Sequence, residues 1–322
     1  YRLEPERYVV VVNAANAEKD LAWLQAIAND SPLLDPDVPW RQVDARPEVV
    51  DLRAPSAGDE RLVNVALQGP RSLDVLLRLA SDERDQQRLR QLRRLEFAHV
   101  RLAGVAVMVA RTGYTGEEYG YELYVHPDRA RALWRAILEA GEPHGVVPAG
   151  LGARDAARTE AGYPLYGHEL AGPYAIGPRE AGYGSFVKLH KPFFVGRGGY
   201  IRRQLPSQRT VIRFRVRERG VRVARLGDPI ADARGEVIGN VTSAVVVDGQ
   251  QVGLALVRSD HGKPGTVLTL FPSARDGRGY PAKPLSELQW GERVPAHVEI
   301  DVLPRFFSPR RGNGNGRGNG GG

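Results

Sequence analysis

Cysteine is absent from the 322 residues of this chain, and methionine occurs only once. Without cysteine the chain can form neither a disulfide nor a thiolate nucleophile, and it cannot build a zinc site from Cys ligands. A composition without cysteine also fits a reducing compartment. We therefore expect a cytoplasmic protein that uses no disulfide or thiol chemistry.

Long hydrophobic runs are missing as well. No uninterrupted apolar stretch reaches the roughly 18 residues that a membrane-spanning helix needs. The chain opens at Tyr1 without the charged segment and the apolar segment of a secretion signal. We therefore expect no membrane span, and we expect the start to be internal to a longer protein.

The charge balance is basic, because 45 Lys and Arg residues exceed 38 Asp and Glu residues and give a net charge of +7. Such a surface attracts anions. The arginines are scattered, and no basic motif carries the interleaved aromatic residues that stack on bases. Nucleic acid is one candidate anion, but without such a motif it is an unlikely partner. A polyglutamylated ligand or an acidic carrier protein would suit the positive charge at least equally well.

The first part of the chain alternates predicted strands with predicted helices. The strands are predicted from a β-branched run at 8–13, from alternation at 62–68 and from two apolar runs at 100–110, and the helices from apolar residues at helical spacing. The predicted strands cover residues 8–13, 62–68, 100–110 (a hairpin) and 121–125, and the predicted helices cover 17–29, 73–80, 129–140 and 149–161. Gly141 stands where a helix C-terminal cap is expected.

Beyond about residue 205 the pattern changes to short β-rich segments. They cover residues 211–216, 236–247, 252–257, 267–271 and 297–302. Turn dipeptides between them favour a small antiparallel barrel or sandwich, and a domain boundary near residue 205. Residues 310–322 are almost entirely Gly, Asn and Arg, a composition that predicts a disordered tail.

One candidate site residue lies in a glycine-rich block at residues 111–123. Glu122 falls on a predicted strand, after three glycines that permit a positive φ or the close approach of a ligand, namely Gly113, Gly116 and Gly120. A carboxylate can accept two parallel N–H donors from the edge of a planar group. A strand glutamate paired with a nearby arginine is the alternative, so both interpretations stay open.

A second block, at residues 150–170, supplies further candidates. Arg154 and Arg158 are four residues apart on a predicted helix, so they share a face and could bind a carboxylate. Surface ion pairs with Asp155 or Glu160 are the alternative. The tyrosines of the two blocks could stack on a flat heterocycle, although packing is the default for half-buried tyrosines. They are Tyr114, Tyr121, Tyr163 and Tyr166.

Several common motifs are not completed in this sequence. His168-Glu169 lacks the second histidine of a zinc protease, because Gly172 occupies its place. Gly262-Lys263-Pro264 has neither the Ser or Thr nor the upstream glycine of a phosphate loop. We therefore expect no metal site and no nucleotide hydrolase.

Taken together, the blocks resemble the glycine cleavage system T-protein family and the wider group of tetrahydrofolate-dependent aminomethyl- and methyltransferases. Residues 111–123 read Arg-Thr-Gly-Tyr-Thr-Gly-Glu-Glu-Tyr-Gly-Tyr-Glu-Leu, and the similarity extends from Tyr1 to about Leu303. The other matching blocks, in chain order, are 8–16, 67–70, 150–170, 180–184, 194–197, 238–243, 252–257 and 264–268. The resemblance implies an α+β protein: folate-binding α/β domains of the T-protein type (1–205), a small antiparallel β-barrel domain (206–305) and the tail (306–322).

The resemblance also implies the chemistry. It matches Asn13, Glu122 and Arg154 to positions that hold the pterin and its neighbourhood, with Glu122 on the ring edge, and Tyr114 joins them as a stacking candidate. The family moves a one-carbon unit from the aminomethyl-lipoyl arm of H-protein to tetrahydrofolate and releases ammonia. The family's catalytic aspartate falls upstream of Tyr1, so the catalytic residue is unknown within this chain.

Other functions remain open at this stage. A tetrahydrofolate-dependent demethylase acting on a small N- or O-methyl donor would share the pterin site and differ where the donor enters. A catalytically impaired folate-binding protein fits the missing aspartate. A nucleic-acid-binding module that keeps the scaffold is the least favoured, because basic Gly-rich tails are usually only solvated ends.

Overall fold

The computed structural model of the chain describes residues 1–30, 32–42, 46–272, 288–295 and 298–306. A four-stranded antiparallel sheet lies at the centre of the first part. Its strands are β3 (Val63–Gln68), β4 (Phe97–Leu102), β5 (Val105–Ala110) and β6 (Gly120–Val125). Their order across the sheet is β3-β6-β5-β4. The three strand segments predicted between residues 62 and 125 are therefore confirmed, including the hairpin.

One face of this sheet packs against helices and forms the first core. The helices are α2 (Ser72–Leu79), α3 (Glu83–Gln91) and α4 (Pro127–Gly141). Because side chains alternate along a strand, Tyr121 and Leu123 of β6 point into this core. The largest buried residues of the core are Leu76, Leu89, Leu102, Tyr121, Leu123 and Leu133.

The opposite face of the sheet carries a smaller apolar cluster. Met108, Ala110 and Tyr124 are buried there, and Tyr1 and Phe97 pack partly buried against them. Glu122 lies on the same strand as Tyr124 and two residues before it, so the two side chains share this face. The tertiary structure thereby places a carboxylate beside aromatic rings, away from the main core.

The second part of the chain closes into a six-stranded barrel in which every paired strand is antiparallel. The strands are β7 (Arg209–Val216), β8 (Pro229–Ala231), β9 (Val237–Val247), β10 (Gln250–Arg258), β11 (Val267–Leu270) and β12 (Val298–Leu303). Their order around the barrel is β10-β7-β12-β11-β8-β9. The barrel prediction is confirmed, and the sandwich alternative is wrong.

Three further helices complete the described structure: α1 (Ala17–Ala28), α5 (Leu151–Ala161) and α6 (Arg197–Gln204). The four predicted helices are confirmed as α1, α2, α4 and α5. The sequence pattern did not predict α3, α6 or β8. In α3 only Leu89 is a buried apolar residue, so its sequence shows no apolar stripe, and β8 has only three residues.

The strand predicted over residues 8–13 is wrong. The chain there forms a short hairpin of β1 (Arg2–Glu4) and β2 (Arg7–Tyr8), and it continues without regular structure. Val10 and Val11 are 65% and 53% exposed. A β-branched run forms a buried strand only where neighbouring strands cover it, and within the described residues β2 pairs with β1 alone.

Two further expectations concern the ends of elements. Gly141 does not adopt the left-handed cap conformation, since its φ is −88°, and Gly145 takes that role one turn later with a φ of 73°. The predicted disorder at 310–322 lies outside the described residues, as does residue 297 of the last predicted strand.

None of the helices in the part of the chain that the structure describes has the length and the apolar composition of a membrane span.

Candidate functional site

The segment between β5 and β6 rests on the side chain of Gln68. The Gln68 amide donates to the Thr112 and Tyr121 carbonyl oxygens at 3.3 Å each, and its own oxygen accepts from Thr115 Oγ1 at 3.2 Å. A Cβ atom on Gly113 or Gly120 would lie 1.9 or 2.2 Å from that oxygen. A side chain at either glycine would therefore displace the Gln68 amide from these hydrogen bonds.

The same segment is held against α5. Gly116 has a φ of +86°, and a Cβ atom there would lie 2.6 Å from the Ala161 Cβ atom of that helix. The Tyr114 hydroxyl donates to the Pro164 carbonyl oxygen, and the Tyr114 ring stacks on Tyr163 with 5.8 Å between centroids. Of the three glycines in this block, only Gly116 has the expected positive φ. The contacts of the block join the sheet to α5.

Glu122 is half-buried on the outer face of the sheet, and two phenolic hydroxyls contact its side chain. The Tyr124 hydroxyl donates to Oε2 at 2.7 Å, and the Tyr1 hydroxyl donates to the same oxygen at 2.9 Å. The two hydroxyl oxygens lie 3.2 Å apart. The arginine partner considered in the sequence analysis is therefore wrong for the described residues, where both hydrogen bonds to this carboxylate come from tyrosines.

Both tyrosines keep their protons at neutral pH. Burial raises the pKa of Tyr1 to about 12, with the negative charge of Glu122 adding to the effect. Burial also raises the pKa of Tyr124, and its hydrogen bonds with Tyr1 and Glu122 raise it further. The two hydroxyls therefore act as donors, and Glu122 is the acceptor of the cluster.

Arg154 and Arg158 occupy different environments although they share a helix. Arg154 is exposed, and its guanidinium carbon lies 4.9 Å from the centroid of the Tyr114 ring. Arg158 is 1% exposed, and it bonds Asp155 at 2.6 Å and Glu169 at 2.8 Å. The predicted ion pair of Arg158 with Asp155 is therefore confirmed, but it is not a surface pair, because the arginine is buried and its charge is also paired with Glu169.

The remaining predicted residues serve local roles. The Asn13 side-chain oxygen accepts from the Ala15 amide at 3.0 Å, which caps the short 3-10 turn before α1. From α1, Lys19 reaches across to the ring and hydroxyl of Tyr166. Packing, the default interpretation, holds for Tyr163 and for Tyr121, which is buried in the first core.

The structure brings together Arg154 and Tyr114 and leaves the other two predicted binding residues apart from them. Among the described residues, no hydrogen bond, ion pair or ring contact joins Glu122 or Asn13 to that pair. Strand alternation could have identified Tyr124 as a neighbour of Glu122, because it lies two residues further on. No sequence signal pointed to Tyr1, which is 121 residues away.

Within the described ranges, no group of three His, Asp or Glu side chains is placed to hold a metal ion.

The chemistry available at Glu122 is that of a half-buried carboxylate whose described partners all contact one oxygen. Such a group can accept N–H donors from a ligand. At Arg154 an exposed guanidinium over an aromatic ring can meet a carboxylate.

The chain is similar to one family model and to several curated proteins. A family model described as the GCVT N-terminal domain matches residues 1–191. The aminomethyltransferase of Halothermothrix orenii is 36% identical over 273 residues, which cover 84% of this chain and 68% of that protein. The aminomethyltransferase of Moorella thermoacetica is 40% identical over 265 residues, with coverages of 81% and 63%.

A solved structure shares the fold. The glycine cleavage system aminomethyltransferase T from Bartonella henselae superposes with a TM-score of 0.57 at 24% identity. The similarity covers 77% of this chain and 62% of that one. The chain thus spans about two thirds of the length of the relatives it matches.

Proposed function

Since the chain belongs to the aminomethyltransferase family that carries the GCVT N-terminal domain, we propose that it acts in tetrahydrofolate-dependent aminomethyl transfer of the glycine cleavage type. The proposed reaction takes the one-carbon unit from the aminomethyl-lipoyl arm of H-protein and releases ammonia. Tetrahydrofolate, when bound, supplies the nitrogen atoms that accept the carbon. Every other contribution comes from the protein, which binds and orients the reactants.

The observation that carries this proposal is the environment of Glu122. The pterin ring presents a guanidine-like edge with adjacent N–H donors, and a carboxylate is the side chain that matches such an edge. Glu122 is half-buried, and the two hydrogen bonds that the described residues direct at its side chain end on Oε2. Oε1 is therefore available for a ligand donor, so the carboxylate as placed fits one N–H group of the pterin edge.

We assign supporting roles to the other predicted residues. Arg154 is an exposed cation positioned over Tyr114, an arrangement that suits an anionic carboxylate of the folate. Tyr114 itself is stacked on Tyr163, so it orients Arg154 and offers at most a ring edge to the ligand. Asn13 uses its oxygen in a cap and has its amide N–H groups left to donate.

Partners and location follow from the same proposal. The donor is the lipoylated H-protein, which the net positive charge of this chain would attract if that carrier is acidic. The absence of cysteine supports action in the cytoplasm.

Calorimetric titration of tetrahydrofolate tests the binding step. We expect the parent chain to bind and Glu122→Gln to lose at least tenfold in affinity, since a hydrogen bond to a charged group contributes roughly 1.5–3 kcal/mol. Glu117→Gln is the matched control, because Glu117 is exposed in the same block and should leave affinity unchanged. Equal affinity in the parent and Glu122→Gln would refute the assignment of Glu122.

The transfer step needs a second assay. Incubation with aminomethylated H-protein and tetrahydrofolate should release ammonia, and omission of either reactant should abolish the release. Formation of methyltetrahydrofolate from a methylated small molecule without H-protein would instead show that the donor is wrong and the folate site right. The two assays therefore separate the acceptor from the donor.

A further inference from the structure

The two tyrosine hydroxyls at Glu122 occupy one carboxylate oxygen between them. A carboxylate offers about two acceptor positions on each oxygen. The donors at 2.7 and 2.9 Å therefore take both positions of Oε2. In this arrangement Glu122 can give a ligand only Oε1, although a ligand edge with two parallel N–H groups needs one position on each oxygen.

The cluster contains a second place for one of these protons. The hydroxyl oxygens of Tyr1 and Tyr124 lie 3.2 Å apart, within hydrogen-bond reach. Rotation of the Tyr1 hydroxyl about its C–O bond would move its hydrogen from Oε2 to the Tyr124 oxygen without displacing either ring. Oε2 would then regain one acceptor position while no donor loses its partner.

The two tyrosines are not equivalent in this exchange. Tyr124 is 5% exposed on a strand of the sheet, makes the shorter bond to Oε2, and accepts a hydrogen bond from Asn64 Nδ2 at 3.4 Å. Donation to a hydroxyl oxygen polarises its own O–H and strengthens the bond it donates. Tyr124 is thus the fixed donor, and Tyr1, on the short β1–β2 hairpin, is the one that turns.

We propose that Tyr1 is a displaceable occupant of Glu122, and that Tyr124 is a positioning residue that holds this carboxylate for a ligand with two adjacent N–H donors. The inference rests on the proposed function, because it specifies how the same folate site changes between its free and bound states. In the free state the half-buried charge of Glu122 accepts hydrogen bonds from two hydroxyls. In the bound state one ligand N–H replaces the Tyr1 hydroxyl.

Ring packing makes the proposal testable by removing hydroxyls alone. The Tyr1 ring contacts Phe97 and Tyr124 edge-on, with centroids 5.8 and 5.4 Å apart. Phenylalanine at position 1 or 124 would keep these contacts. The variants Tyr1→Phe and Tyr124→Phe therefore change donors at Glu122 while preserving the apolar cluster.

Tetrahydrofolate affinity should change in opposite directions in the two variants. Tyr1→Phe removes the competitor and should tighten binding by roughly three- to tenfold, the difference between a charged and a neutral hydrogen bond. Tyr124→Phe removes the fixed donor and the alternative acceptor for Tyr1, and should weaken binding by about tenfold. A purely structural role would not produce effects of opposite sign.

Tyr8→Phe is the matched control. Tyr8 lies in the same hairpin as Tyr1, and its hydroxyl donates to the Pro5 carbonyl oxygen, away from Glu122. Its removal should leave the affinity for tetrahydrofolate unchanged. Chemical denaturation of all variants identifies any loss of fold. If Tyr124→Phe unfolds, Asn64→Ala replaces it, because loss of the Asn64 hydrogen bond to the Tyr124 hydroxyl should also weaken binding.

The outcomes separate this inference from the proposed function. If the parent binds tetrahydrofolate and Glu122→Gln does not, but the two tyrosine variants shift affinity in the same direction or not at all, the displacement idea is overturned while the folate site stands. If the parent does not bind tetrahydrofolate, both fall together. Opposite shifts with an unchanged Tyr8→Phe variant support the inference.

Discussion

Glu122 on the outer face of the sheet and Glu169 between α5 and the barrel differ in burial and in how their charges are compensated. Glu169 is 0% exposed, and its Oε2 accepts from Arg158 at 2.8 Å and from the Leu165 amide at 3.0 Å. Its Oε1 accepts from Ser243 Oγ at 2.6 Å. Glu122 has two neutral hydroxyls on one oxygen.

The difference separates a structural carboxylate from one that can bind a ligand. A fully buried charge requires an opposite charge and hydrogen bonds on both oxygens, and Glu169 has them. Arg158 extends this network from α5 to Ser243 of β9 at 2.8 Å, so the ion pair ties the helix to the barrel. Glu122 is only half-buried and has no described cation, which leaves acceptor capacity for a partner from solution.

The largest effect in this comparison should come from Arg158→Met. The substitution leaves Glu169 buried without its cation, so we expect the free energy of unfolding to fall by about 3–5 kcal/mol. Chemical denaturation measures the loss. Arg154→Met is the control on the same helix: Arg154 is exposed, and the control should change stability by at most about 0.5 kcal/mol. Equal losses in both variants would contradict a special role for the buried pair.

The same substitution at both glutamates sharpens the contrast. Glu169→Gln removes the negative charge that faces Arg158. The free energy of unfolding should fall by roughly 2–3 kcal/mol, because a hydrogen bond between charged groups is replaced by a weaker one. Glu122→Gln keeps an acceptor for the tyrosine hydroxyls and should cost at most about 1 kcal/mol. A larger stability loss at Glu122 would reverse our assignment of the two roles.

Acid should weaken the junction through Glu180, a third carboxylate that links the segment before the barrel to β7. Its burial disfavours the charged form, but hydrogen bonds from Ser207, the Gly177 amide and Arg209 outweigh that effect and hold the pKa of Glu180 below its usual value of 4.5. A lowered folded pKa stabilises the protein above the unfolded pKa, and this contribution disappears as the pH falls through the folded pKa.

We therefore expect the stability difference between the parent and Glu180→Gln to be largest near neutral pH and to shrink below pH 4.5. Denaturation curves between pH 7 and roughly pH 3 measure it, since unperturbed carboxylates titrate in this window. A difference that stays constant across the range would show that the carboxylate charge contributes nothing to the junction.

The smallest effect should come from the exposed ion pairs on the barrel surface. Arg217 is 43% exposed and bonds Asp301 at 2.9 Å and Glu299 at 2.6 Å. Arg217→Ala should lower the free energy of unfolding only slightly, because exposed pairs gain little in water. The cost should vanish near 1 M salt, where screening acts over roughly 3 Å. A loss as large as that of Arg158→Met would break the distinction between exposed and buried pairs.

Much of the fold could be predicted because its elements have regular periods. Alternation identified β3, two apolar runs separated by Ala103-Gly104 identified the β4–β5 hairpin, and an apolar stripe identified α4. The pattern failed at residues 8–13, where an apolar run has no second strand to cover it. It also missed α3, whose single buried leucine gives no stripe.

The candidate site was less predictable than the fold. Family resemblance identified Glu122 and Arg154 as binding positions, and these remain proposals. The sequence could not show that Arg158, only four residues from Arg154, is buried against Glu169. Nor could it show that Gly113 and Gly120 make room for Gln68.

By itself, the sequence determined the family, most of the strands and helices, and the β-rich character of the second part, because periodicity and ordered motifs are local properties of the chain. The tertiary structure alone decided which charges are satisfied internally. Partners such as Tyr1 and Glu122 are 121 residues apart, and Arg158 and Ser243 are 85 apart. Whether a carboxylate is structural or free to bind depends on such contacts, since burial and the available donors set its remaining acceptor capacity.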